Sequence, residues 1–149
     1  NLMTTKKTVS SNSLNIMTRL GFDKTKSSEG VWLELDDEIS VRVAREGNPA
    51  YREATRDSVK KYEADFDNED KEVSLRAYAL FVAETMSTAL VKEWKGVKDE
   101  NGKDVPYTPE IGFELFSDEG MEAVVEKIYK FSQTIENYRH DAEAKAVKN

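Results

Sequence analysis

Two hydrophobic periods divide this chain, and together they restrict what it can fold into. In Val31-Trp32-Leu33-Glu34-Leu35 the odd positions are apolar, and Ile39, Val41 and Val43 repeat the alternation after Asp36-Asp37-Glu38. Alternation at period two marks strands with one buried face, so the segment reads as a β-hairpin. From about Glu69 onward, apolar residues recur at spacings of three and four, the mark of helices. A two-stranded hairpin is rarely stable alone in water, so it must pack against helices or pair with another chain. The expected architecture is therefore α+β and predominantly α-helical, with one N-terminal β-hairpin packed on a bundle of about four helices.

Local signals place the boundaries. Residues 1–28 are rich in Thr, Ser, Lys and Asn and poor in apolar residues. They read as a flexible or loosely docked arm, with a short helix over Asn15 to Leu20. Residues 29–141 form a single domain, and 142–149 read as a frayed tail. Asn48 suits an N-cap and Pro49 the first helical position, so a helix runs to about Tyr62. Its apolar side (Tyr51, Ala54, Val59, Tyr62) is thin, which makes it peripheral. The central helix is expected from Glu69 to Lys95, with Leu75, Tyr78, Ala79, Val82, Met86, Ala89, Leu90 and Trp94 on one core face. Ala77, Leu80 and Phe81 widen that stripe. After a turn at Asn101-Gly102, Thr108 and Pro109 start a short helix. Ser117 or Asp118 caps the last one, whose seam runs through Met121, Val124, Val125, Ile128, Phe131, Ile135 and Tyr138.

Charge and composition narrow the function. With 29 acidic against 22 basic residues the formal charge is -7, which disfavours nucleic acid and anionic membranes as partners, since both are bound through Lys and Arg. The chain has no cysteine, which excludes disulfides, Cys-based zinc sites and thiol chemistry and fits a reducing cytoplasm. No apolar run is long enough to span a bilayer, and no secretory signal is legible.

The one histidine, His140, is placed near the end of the last helix, where a cation complements the helix dipole. No Gly-x-Ser-x-Gly elbow, phosphate loop or His-Glu-x-x-His helix occurs. The acidic loops starting at Asp65 and Asp99 fail as calcium sites. The first lacks the glycine and the closing glutamate, and the second has Lys103 at a ligand position. No catalytic residue, metal or cofactor is expected, and the chain reads as a non-enzyme. The candidates for contact with a partner are Trp32, on the polar face of the hairpin, Arg42 on the same solvated side with Arg45 nearby, and Met121, Val125, Ile128 and Ile135 on the last helix. Trp32 is read either as a partner surface or as covered by the N-terminal segment. Trp94 is read as core.

The order of motifs between residues 30 and 117 carries a resemblance. Trp94-Lys95-Gly96-Val97 is followed by an acidic glycine turn and by Val105-Pro106-Tyr107-Thr108. Earlier come Gly30-Val31-Trp32 and Val43-Ala44-Arg45-Glu46-Gly47-Asn48-Pro49-Ala50-Tyr51. This order resembles the tail assembly chaperones of long-tailed bacteriophages; the N-terminal arm and the last helix match no motif of that family. The resemblance implies a non-catalytic protein of the host cytoplasm, absent from the mature virion. Such a protein binds the tape measure protein and helps recruit the tail-tube protein, and in many phages a frameshift yields a longer form. The alternatives are a virion structural protein of the tail or head–tail joint, or a small regulatory adaptor. A chaperone of a long helical partner needs apolar grooves. The two long apolar stripes would supply them if the core does not consume them, though most of both stripes is expected to pack together. A homo-oligomer through the hairpin edge or the last helix is a further expectation.

Overall fold

A computed structural model describes residues 9–140; residues 1–8 and 141–149, with the expected tail, lie outside the described residues. The hairpin forms as expected, from β1 (Val31–Glu34) and β2 (Ser40–Val43). The Asp36 carboxylate closes its turn, accepting from the Glu38 and Ile39 amides at 2.8 and 2.7 Å. Those two bonds hold its carboxyl below the usual range. Val31, Leu33, Val41 and Val43 point inward and are all buried.

The sheet has a third strand that the sequence pattern hid. β3 (Val91–Lys95) pairs antiparallel with β2, giving the order β1-β2-β3. The stretch expected as the last turns of a long helix is therefore extended. Val43 pairs with Val91 and Arg42 with Glu93, so Lys92 is an extra, bulged residue. A bulge changes which residues share a face. Here it brings Val91 and Trp94, three apart, to the same buried side. Spacing of three thus mimicked a helix inside a strand. Lys92 is left half-buried, and burial together with nearby Arg42 pushes its ammonium pKa down.

Among the described residues six α-helices accompany the sheet: α1 (Asn15–Leu20), α2 (Lys24–Glu29), α3 (Pro49–Tyr62), α4 (Lys71–Thr85), α5 (Pro109–Phe116) and α6 (Glu122–Gln133). α4 passes through one π-helical turn, Met86–Leu90, straight into β3. A helix that stops in the interior frees carbonyls that must find donors. Tyr107 Oη donates to the Ser87 carbonyl at 2.5 Å, the Ala44 amide to Leu90 at 2.7 Å, and Asn48 Nδ2 to Ala89 at 3.4 Å. The Asn48 carboxamide oxygen also caps α3, accepting from the Tyr51 amide at 3.1 Å. Thr108 caps α5 in the same way, with Pro109 next. α3 is peripheral, as its thin apolar side suggested: only Ala54 and Ser58 of it are buried. It lies along α4, bringing the small residues Ala54 and Ser58 into the contact.

The two ends of the described chain meet. α6 stops at Gln133, short of the expected end, because Thr134 is extended; a 3-10 turn, Ile135–Tyr138, follows. The fully buried Tyr138 reaches under the sheet and donates to the Val43 carbonyl at 3.0 Å. Residues 22–28, expected in the loose arm, are docked. The Asp23 amide donates to the Tyr138 carbonyl at 2.7 Å, Lys26 Nζ donates to the Arg139 and His140 carbonyls, and Ser27 is buried. Arg45 turns from solvent to stack over Phe22, 4.0 Å from the ring centroid. His140 is not at a helix end; its Nδ1 lies 3.4 Å from the carboxylate of Asp23, the cap of α2. Residues Asn15–Leu20 form the expected short helix and stay largely exposed.

Candidate partner-binding groove

The sequence candidates scatter over several surfaces and the core. Trp32 lies on the outer face of the sheet, with Lys95 Nζ 4.1 Å and the Arg42 guanidinium 6.0 Å from its ring centroid. Its cover among the described residues thus includes cations of the neighbouring strands. Arg42 donates to Glu93 at 3.1 Å and to the Glu29 carbonyl, so its fork is engaged within the chain. Met121 is half-buried at the start of α6, in a hollow with Ile111 and Leu115. Ile135 is half-buried in the 3-10 turn. Ile128 is 0% exposed and packs in the core. It is therefore withdrawn as a contact residue in this conformation. Val125 alone of the six lines the groove beside α4.

That groove runs between α4 and α6, which the sequence reading expected to pack together. Tyr78, Ala79, Val82, Phe116 and Val125 line a hollow of about 240 Å³. A second hollow shares Val82, Glu122 and Val125 and continues to Tyr129. The expected core face of α4 is turned outward: Leu75 is 67% and Tyr78 46% exposed. Buried in its place are the small residues Ala77, Ala83 and Thr85. The sequence did carry a signal: α4 is apolar over more of its circumference than one core contact can cover. Phe66 supports the outer face by stacking on Tyr78, with centroids 4.3 Å apart and planes 9° apart.

A polar cleft lies on the opposite side of α4, enclosing about 460 Å³ among α3, α4 and α5. There Glu84 accepts from Ser58 at 2.5 Å, Lys61 at 2.9 Å and Tyr62 at 3.2 Å. Burial pushes its carboxyl pKa up, but Ser58, Lys61 and Tyr62 outweigh this and leave it below the usual range. An ionised carboxylate with three donors is a weak base, and the arrangement tethers α3 to α4. Tyr129 Oη donates to Glu46 at 2.5 Å and lies 3.4 Å from Tyr51 Oη, with burial the largest cause of its raised pKa. Among the described residues, no group of three or more Asp, Glu or His side chains is arranged to hold a metal ion. None of the described helices is long and apolar enough to cross a membrane.

A mainly helical domain with a three-stranded sheet and an open apolar groove joins here with a family match, which marks it as a prophage-encoded protein. The family model, described as YdaY prophage protein, matches residues 46–149, and the chain belongs to that family. Neither the curated proteins nor the solved structures contain a match. Phage origin, which the motif order implied, follows from the membership. The matched span holds the Trp94-Lys95-Gly96-Val97 and Val105-Pro106-Tyr107-Thr108 motifs, and the hairpin lies before it.

Proposed function

We propose that this chain is a non-catalytic tail assembly chaperone. It holds a helical segment of the tape measure protein in the groove between α4 and α6 and helps bring tail-tube subunits to it. It acts in the host cytoplasm and leaves before the virion is complete. The observation that carries the reading is the outward apolar face of α4, where Leu75 and Tyr78 stand 67% and 46% exposed beside an open hollow. Contiguous apolar surface of this kind is a feature of interaction sites. A concave seam between two helices accepts an amphipathic helix at the i, i+3, i+4 spacing. Covering Leu75 and Tyr78 contributes on the order of 2–4 kcal/mol before the cost of association. That magnitude suits a transient holder, which must release its client.

Co-expression with the tape measure protein of the same prophage tests this. The expected result is a soluble tape measure protein that co-purifies with the chain, while Leu75→Asp folds normally and captures far less. A tape measure protein that stays insoluble and unbound beside a well-folded chain would overturn the reading. So would finding the chain in purified virions.

A further inference from the structure

The groove has a sign as well as a shape. Its α6 side carries Asp118, Glu119, Glu122 and Glu126 beside the apolar floor. Glu122 and Glu126, four apart on α6, line one edge of the seam, and Asp118 and Glu119 stand at its mouth in the turn before the helix. The cation among the residues lining the hollows is Arg76, and its guanidinium donates to the Ser117 carbonyl at 2.6 Å. Lys130 approaches Glu126 only to 3.7 Å, with both side chains about 70% exposed, so it neutralises little of that edge.

We infer that the groove selects an amphipathic helix bearing Lys or Arg along the edge of its apolar stripe. The inference rests on the groove reading above and adds the chemistry of its occupant. A helix lying on Val82 and Val125 sets its flanking side chains beside Glu122 and Glu126. Each exposed pair adds little by itself. A row of them raises the association rate and rejects acidic helices through like-charge repulsion. An acidic edge in front of an apolar floor thus gives the groove selectivity that apolar contact alone lacks.

Two fluorescein-labelled peptides of about 20 residues test it, with the same apolar stripe and either Lys or Glu at the flanking positions. Anisotropy titrations of the full chain are expected to favour the Lys-edged peptide by about tenfold or more at about 50 mM NaCl, the preference shrinking at about 300 mM. Glu122→Lys with Glu126→Lys, or Gln at both positions as a milder pair, removes the preference. Asp37→Lys with Glu100→Lys makes the same change in net charge as the Lys pair in loops outside the groove, and keeps it. Equal binding of the two peptides overturns the charge inference and leaves the groove standing. Loss of the preference in the loop variant to the same degree as in the groove variant also overturns it, reducing the effect to overall charge. Binding of neither peptide, or binding undiminished by Leu75→Asp, overturns the groove itself.

Discussion

Replacing Gly96 by alanine should destabilise the fold far more than the same change at Gly102, although both glycines have a left-handed backbone, with φ of 82° and 78°. At Gly102 an added Cβ meets nothing within 4 Å. The cost there is the left-handed conformation alone, roughly 1–2 kcal/mol, offset by about 0.4–1 kcal/mol from the stiffer unfolded chain. The net is about 1 kcal/mol or less. At Gly96 the Cβ overlaps the Glu38 carbonyl oxygen and stands 2.8 Å from its carbon, both backbone atoms of the β1–β2 turn. A backbone neighbour cannot swing aside as a side chain does, so the turn must shift. Overpacking of this kind adds about 1–3 kcal/mol, for a total near 2–4 kcal/mol. For a domain of this size each kcal/mol lowers Tm by about 2–4 °C. The midpoint of thermal unfolding, followed by circular dichroism, should therefore drop by no more than about 4 °C for Gly102→Ala and by about 4–16 °C for Gly96→Ala. Equal shifts would refute the close approach of the Trp94-Lys95-Gly96-Val97 segment to the hairpin turn, and with it the placement of β3.

Two further changes probe the polar tethers. Glu84→Gln should cost about 1–2 kcal/mol at neutral pH, read from urea titrations, because the ionised carboxylate holds three donors. Its folded-state pKa is depressed from 4.5, so this stabilisation is present above that value and is lost as pH falls through the lower folded one. The gap between wild type and variant should close in acid, and a gap constant with pH would contradict the ionised tether. Tyr138→Phe removes the donor to the buried Val43 carbonyl and should cost about 1–3 kcal/mol while leaving groove binding unchanged. Unaltered stability would mean that the carbonyl finds another donor.

Features legible in the sequence share one property: their partners lie a few residues away. The Asp36 turn, the Asn48-Pro49 and Thr108-Pro109 helix starts, and the short helix at Asn15–Leu20 all close bonds within four residues. The alternation from Val31 to Val43 likewise gives the buried face of the hairpin, and the mainly helical α+β class follows. Candidate contact residues were less legible. Val125 reaches the groove, but Ile128 has the same helical spacing and lies in the core, and periodicity does not say which side of a helix the rest of the chain will cover.

What tertiary structure decided was where apolar stripes stop and which way they face. α4 ends at Thr85 because donors from Ala44, Asn48 and Tyr107, all distant in sequence, satisfy the carbonyls freed by the turn that follows. Val91 and Trp94 share a strand face only because Lys92 bulges against β2. Tyr138 is buried because Val43 offers it a carbonyl across 95 residues of chain. α4 shows Leu75 and Tyr78 to solvent because Ala54 and Ser58 of α3 let the two helices approach on its other side, through its small residues. Close packing through small side chains left Leu75 exposed among the described residues, and Tyr78 covered only in part, by Phe66. The sequence by itself determined the class of fold, the caps and the turns, whose bonds are local; the groove arose only when α3, α4 and α6 took their places around the sheet.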